Sequence, residues 1–174
     1  MDFEFSPIVP SEFKGSVKLI SGDNTQVLLN ISYLIWREGN SIQDVFEIRF
    51  EYHCSPFRQA FILEECLAVG YEEHFYLYDL KQDLNLTTIK MDGYFSKLYF
   101  DFDSFYVSSA SSIYRVTKNG SIVWINTNLG IDGVLINRFD NGKIFGSGEW
   151  DPPGRWRDFI LNKVDGSLIN QNRS

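Results

Sequence analysis

Two clusters of side chains in this sequence have the types that could do chemistry. His53-Cys54, Cys66 and His74 are the residue types that hold zinc. Adjacent residues of a strand point to opposite faces, however, and no Cys-x2-4-Cys or His-x3-5-His knuckle is present, so no metal site and no cofactor is expected. Glu64-Glu65 and Glu72-Glu73 offer paired carboxylates. Acid-base catalysis needs two such groups in one concave site with different environments, and this spacing supplies no such constraint. Two histidines in 174 residues leave few bases for a Ser-His-Asp or Cys-His device. Gly70 and Gly146-Ser-Gly148 do not lead into a helix that could hold phosphate. The expectation is a chain that is not an enzyme.

Binding remains. Glu64, Glu65, Glu72 and Glu73 join Asp44, Glu47 and Glu51 as a candidate acidic contact patch. The charge is unevenly spread: residues 1–87 hold fourteen acidic and six basic side chains, whereas residues 88–174 hold nine and ten. That balance argues against direct nucleic-acid binding, which needs a basic face. It suits a basic protein partner, since opposite potentials speed encounter, although acid can also serve solubility alone. The second candidate is Trp150-Asp-Pro-Pro-Gly-Arg-Trp156. Consecutive prolines cannot continue a strand, so this is a loop between two strands. Trp150, Arg155 and Trp156 on a proline-stiffened loop are the residues of an interaction hot spot. Alternatively, both indoles fold back over a sheet edge with Arg155 stacked between them.

The elements that must position these residues read as strands. Aromatic residues make up 16% of the chain, which favours half-buried pleated surfaces, and alanine is scarce, which disfavours helix bundles. Thr25 to Arg37 and Val45 to Tyr52 are the clearest N-terminal strands; in the second, Phe46, Ile48, Phe50 and Tyr52 are expected inward and Val45, Glu47, Arg49 and Glu51 outward. From about residue 61 the pattern repeats: Ala68-Val-Gly70, Val107-Ser-Ser109 and Phe145-Gly-Ser147 start 39 and 38 residues apart. An aromatic-bearing strand, a polar turn and a further strand follow each one. Asn119-Gly120 and Asp165-Gly166 signal hairpins in which both central residues take positive φ.

A repeat of three or four short strands at this spacing is that of a propeller blade. The expected fold is all-β and antiparallel, an open or incomplete β-propeller-like array of three repeats over 61–174 plus an N-terminal antiparallel sheet over 1–60, in one domain of 174 residues. A sandwich with evenly spaced hairpins is the alternative. The N-terminus, Met1-Asp-Phe-Glu-Phe, has neither the basic start nor the apolar run of a signal peptide, and no run is long enough to span a membrane, so a cytoplasmic protein is expected.

Gly130-Ile-Asp-Gly-Val134, Gly146-Ser-Gly-Glu-Trp-Asp-Pro-Pro-Gly-Arg-Trp156 and Asp165-Gly-Ser together resemble segments of small bacterial cytosolic proteins, some of them similar to immunity proteins of contact-dependent or polymorphic toxin systems. The resemblance implies a stoichiometric inhibitor that binds a cognate basic toxin domain, such as a nuclease, and occludes it. A small-molecule or carbohydrate-binding β module using exposed aromatics is the alternative function.

Overall fold

A computed structural model describes residues 2–22, 27–150 and 155–171. The chain forms two compact units that interleave in sequence, one of Met1–His53, Ala60–Ala68 and Tyr76–Thr88 and the other of Cys54–Gln59, Val69–Phe75 and Ile89–Ser174.

The first unit is built on β1 (Asp2–Ser6), β2 (Lys18–Leu19), β3 (Asn30–Glu38) and β4 (Ser41–Phe50), in the order β1-β3-β4-β2. The expectation of an antiparallel sheet holds for β1, β3 and β4, but β2 runs parallel to β4, pairing Lys18 with Phe46. Strand β3 starts later than the apolar pattern suggests. Its ladder with β4 ends where Asn30 meets Phe50, so Val27 and Leu29 have no strand beside them and are exposed. Nor does β4 keep its simple alternation: Val45 and Phe46 are both fully buried, as are their partners Ile35 and Leu34 on β3, so both faces of the sheet are covered there. Ile20, Leu34, Phe46 and Ile48 form the core here, with the Phe46 ring edge-on to Tyr78 at 5.5 Å.

Three further sheets each take four consecutive strands. They are β5 (Arg58–Leu63) to β8 (Leu84–Lys90) with β6 (Cys66–Tyr71) and β7 (His74–Asp79) between; β9 (Phe95–Asp101), β10 (Ser104–Ser109), β11 (Ile113–Thr117) and β12 (Ile122–Asn126); and β13 (Val134–Asp140), β14 (Lys143–Glu149), β15 (Trp156–Asn162) and β16 (Leu168–Gln171). Each is an up-and-down meander, the strand order of a propeller blade, whereas the alternative sandwich would cross strands between two sheets. The first strands of the three sheets begin at Arg58, Phe95 and Val134, which is the sequence repeat in physical form.

Within the second unit the β9–β12 and β13–β16 sheets pack face to face. Tyr106, Ile113 and Trp124 of one meet Ile136, Ile144, Phe159 and Leu161 of the other. The contact is also polar. Arg115 donates to Ser104 Oγ at 3.0 Å and to the Lys163 carbonyl at 3.0 Å, Trp124 Nε1 donates to the same carbonyl at 3.1 Å, and Tyr99 accepts from Ile136 N–H at 2.9 Å.

The hairpins differ from expectation in one respect. At Asn119-Gly120 and Asp165-Gly166 only the glycines have positive φ, and the turns are longer, closed by Thr117 N–H to Ser121 O and Asn162 N–H to Ser167 O. Both central residues have positive φ instead at Asn141-Gly142, between β13 and β14, where Asp140 pairs with Lys143. The polar side chains explain the first two: the Asn119 and Asp165 carbonyl or carboxylate oxygens accept the N–H groups of Ser121 and Ser167, which stabilises a wider loop.

Candidate functional site

At one end of the second unit's strands, the connections 91–94, 110–112 and 127–133 come together with Glu149 at the end of β14. A relay of backbone hydrogen bonds fixes them. Ala110 N–H donates to Tyr94 O (3.0 Å), Gly133 N–H to Ala110 O (2.8 Å), Glu149 N–H to Gly133 O (2.9 Å) and Ile131 N–H to Glu149 O (2.6 Å). This explains Gly130, Gly133 and Gly148, whereas Gly146 makes room for the Phe159 ring. A Cβ on Gly148 would run into the Leu129 carbonyl, so the 127–133 connection could not lie against the strand end.

Asp92 ties the first connection to the second. Its carboxylate accepts hydrogen bonds from Ser109 Oγ and Ser111 Oγ at 2.7 Å, from Tyr114 OH at 3.0 Å, and from Ser112 Oγ. Partial burial opposes ionisation of Asp92, but the four hydroxyls outweigh it and hold the carboxyl below its usual value.

On this frame sits a row of aromatic rings. The residues just before the first strands of the three blades are Phe57, Tyr94 and Gly133, equivalent positions of the repeat. Phe57 and Tyr94 have ring centroids 6.2 Å apart. At the third position glycine is required, because φ is +146° and a Cβ there would lie 3.4 Å from Trp156 Cη2 and 3.9 Å from Tyr94 OH. Trp156, arriving from the neighbouring loop, covers the bare backbone and continues the row. Tyr94 is held by Asp132, its hydroxyl 2.6 Å from the carbonyl and 2.9 Å from the carboxylate. Burial and Asp132 together raise the Tyr94 hydroxyl well above the ordinary tyrosine value, so it stays a neutral donor. Phe57 is 49% exposed, Trp156 44% and nearby Ile131 53%.

The structure distributes the sequence candidates unevenly. Trp150, Arg155 and Trp156 flank the β14–β15 connection, with Trp150 N–H donating to Arg155 O at 3.0 Å; residues 151–154 of that loop lie outside the described residues. The expected stacking of Arg155 between two indoles is replaced: Arg157, not Arg155, lies over Trp150, at 5.3 Å, because strand pairing of Glu149 with Trp156 aims Arg157 that way. Arg155 is exposed.

The acidic residues do not form one patch. Asp44 is bridged to Lys18 at 3.1 Å, Glu47 to Arg49 at 2.5 Å, Glu65 to Lys81 at 3.5 Å and Glu73 to Lys90 at 2.9 Å. Glu51 and Glu64 are exposed. Glu64-Glu65 and Glu72-Glu73 lie at opposite ends of β6. Glu72 is 3% exposed and Glu73 6%, contrary to a solvated contact surface. Glu72 sits in a tight turn with φ +51°, and its carboxylate accepts the N–H groups of Cys54 (2.6 Å) and Ser55 (2.9 Å). Burial and Glu72 push the Cys54 thiol up to about 11, which keeps it protonated at neutral pH. Among the described residues no three His, Cys, Asp or Glu side chains gather as a metal site.

Sequence reasoning did not find Phe57 or Tyr94. The signal was the repeat itself, which puts an aromatic before the first strand twice and a glycine the third time.

No protein-family model matches the chain, and no curated protein matches it in sequence. In three dimensions it is similar to Kuenenia stuttgartiensis hydrazine synthase, with a TM-score of 0.54 at 10% identity over 82% of this chain and 42% of that one. It also matches the WD40 domain of Neurospora crassa Pan2, with a TM-score of 0.48 at 12% identity over 63% of this chain and 35% of that one. The chain thus spans less than half the length of either structure. The class is defined by the fold: an all-β protein of propeller-type, four-stranded blades.

Proposed function

We propose that this chain is a non-catalytic protein-binding module whose contact surface is the aromatic row Phe57, Tyr94 and Trp156, flanked by Ile131 and Arg155. The observation that carries the reading is that large exposed rings stand on a backbone relay that leaves them little freedom to lose. Binding energy concentrates in aromatic and arginine side chains, and preorganisation lowers the entropic cost of using them. An immunity role toward a basic toxin domain in the cytoplasm is the narrower form of this proposal. It adds the requirement of a basic partner, for which the exposed Glu51, Glu64 and Glu65 are the acidic candidates.

The test is affinity capture from the host cytosol with the wild-type chain and with Trp156→Ala, after both are shown to melt alike. A stoichiometric partner retained by the first and lost by the second supports the reading. Retention of the same partner by both, or a saturable thermal shift with a glycan panel and no protein partner, contradicts it.

A further inference from the structure

The outward face of the β13–β16 sheet repeats the chemistry of a face that is covered elsewhere in the same unit. In the β9–β12 sheet, strand pairing sets Tyr99, Tyr106, Arg115 and Trp124 in one row across the four strands. The next sheet covers that row: Phe139 lies 4.8 Å from Tyr106, and the Lys163 carbonyl accepts from both Arg115 and Trp124. In the β13–β16 sheet the equivalent pairs set Arg138, Phe145, Ile160 and Asn170 in a row. It keeps a guanidinium, a central aromatic ring and an apolar neighbour. Among the described residues nothing in the second unit covers it; instead it lines a hollow of about 340 Å³ with Asn137 and Asp158.

Arg138 stacks on the Phe145 ring at 4.1 Å, but neither it nor Asp158 has an ion pair among the described residues. Charged side chains beside apolar surface are costly to cover unless each meets an opposite charge. Arg138 pairs with Phe145 across β13–β14 and Asp158 with Ser147 across β14–β15, so the two lie diagonally on either side of the middle strand β14. A two-fold axis lying in the interface over β14, midway between them, would bring Arg138 of each copy to Asp158 of the other, which is the self-complementarity a symmetric interface requires.

We propose that this face docks a second copy of the chain, sheet against sheet, with reciprocal Arg138–Asp158 pairs around Phe145 and Ile160. The proposal is independent of the aromatic row. A four-strand face about 20 Å on a side offers on the order of 400 Å² per copy, about half the usual size of a stable interface, so the dimer is weak and dissociates on dilution.

Sedimentation equilibrium from about 1 μM to about 1 mM, a span that brackets such a small interface, tests it. The expected result is a mass rising from the 20.2 kDa monomer towards twice that value. Arg138→Asp and Asp158→Arg should each weaken association at least about tenfold, and the double exchange should restore most of it. Both side chains are exposed, so circular dichroism and melting should be unchanged. If a variant fails to fold, wild-type amide shifts on dilution decide, because they should concentrate in β13–β16. A constant monomer mass, single reversals without effect, no recovery in the double exchange, or dilution shifts in other strands would each overturn the proposal.

Discussion

The acidic side chains were the first contact surface the sequence offered and the loop ending at Trp156 the second, and the structure treats the acids of the first unit and the aromatic row of the second differently. Asp44, Glu47 and Glu65 each have a cationic neighbour, so their charge is largely compensated locally. Phe57 and Trp156 keep nearly half their surface in water while the backbone below them is hydrogen-bonded from loop to loop. A cluster of like residues in a sequence is therefore a weak indicator of a surface. What matters is whether the fold has already used those groups.

That contrast can be broken most severely at Gly133. Gly133→Val puts a branched side chain at φ +146° and against Trp156, which should cost roughly 3 kcal/mol or more in denaturant unfolding and expose Trp156 to quenching by iodide. An unchanged quenching constant would mean that the indole does not rest there. Next is Trp156→Ala. It should leave stability within about 1 kcal/mol, because the ring is half exposed, yet weaken partner binding by about 2 kcal/mol, roughly thirtyfold. Titration calorimetry with the captured partner reads the second number and thermal melting the first.

Asp92→Asn addresses the frame rather than the surface. Losing charge-assisted hydrogen bonds from four hydroxyls should lower stability by about 1–2 kcal/mol at neutral pH. The sign of its pH dependence follows from the lowered carboxyl. The stabilisation is full above the unfolded value of about 4 and is lost as pH falls through the folded value, so the variant's deficit should shrink in acid. A deficit that persists below about pH 2, well under the usual carboxylate range, would assign it to packing. The smallest effect belongs to the acids: Glu65→Gln breaks an exposed pair with Lys81 and should change stability by less than about 0.5 kcal/mol.

Much of the architecture was legible. The 38- to 39-residue spacing of Ala68-Val-Gly70, Val107-Ser-Ser109 and Phe145-Gly-Ser147 falls on β6, β10 and β14, the second strand of each blade. Strand limits in the N-terminal region were less so, since Val27 and Leu29 have the residue types of a strand and only the end of β4 leaves them unpaired. Turn type depended on side chains competing for backbone N–H groups, which an Asn-Gly or Asp-Gly dipeptide does not reveal. The burial of Glu72 could not be read either, because the N–H groups it caps belong to residues 17 and 18 positions earlier. Trp156 was visible as an anchor, but its seat on Gly133 is a contact between loops 23 residues apart, and Tyr94 lies outside any motif.

The measurement that bears most directly on the binding surface is a competition between the two candidate faces on one partner. Wild type, Trp156→Ala and the charge reversal Glu51→Lys/Glu64→Lys would be titrated with the captured protein at low and high salt. Binding through the aromatic row gives a large loss for Trp156→Ala at both salts and a small, salt-sensitive change for the reversal. Loss on reversal with Trp156→Ala still tight would contradict it and return the contact to the acidic side chains.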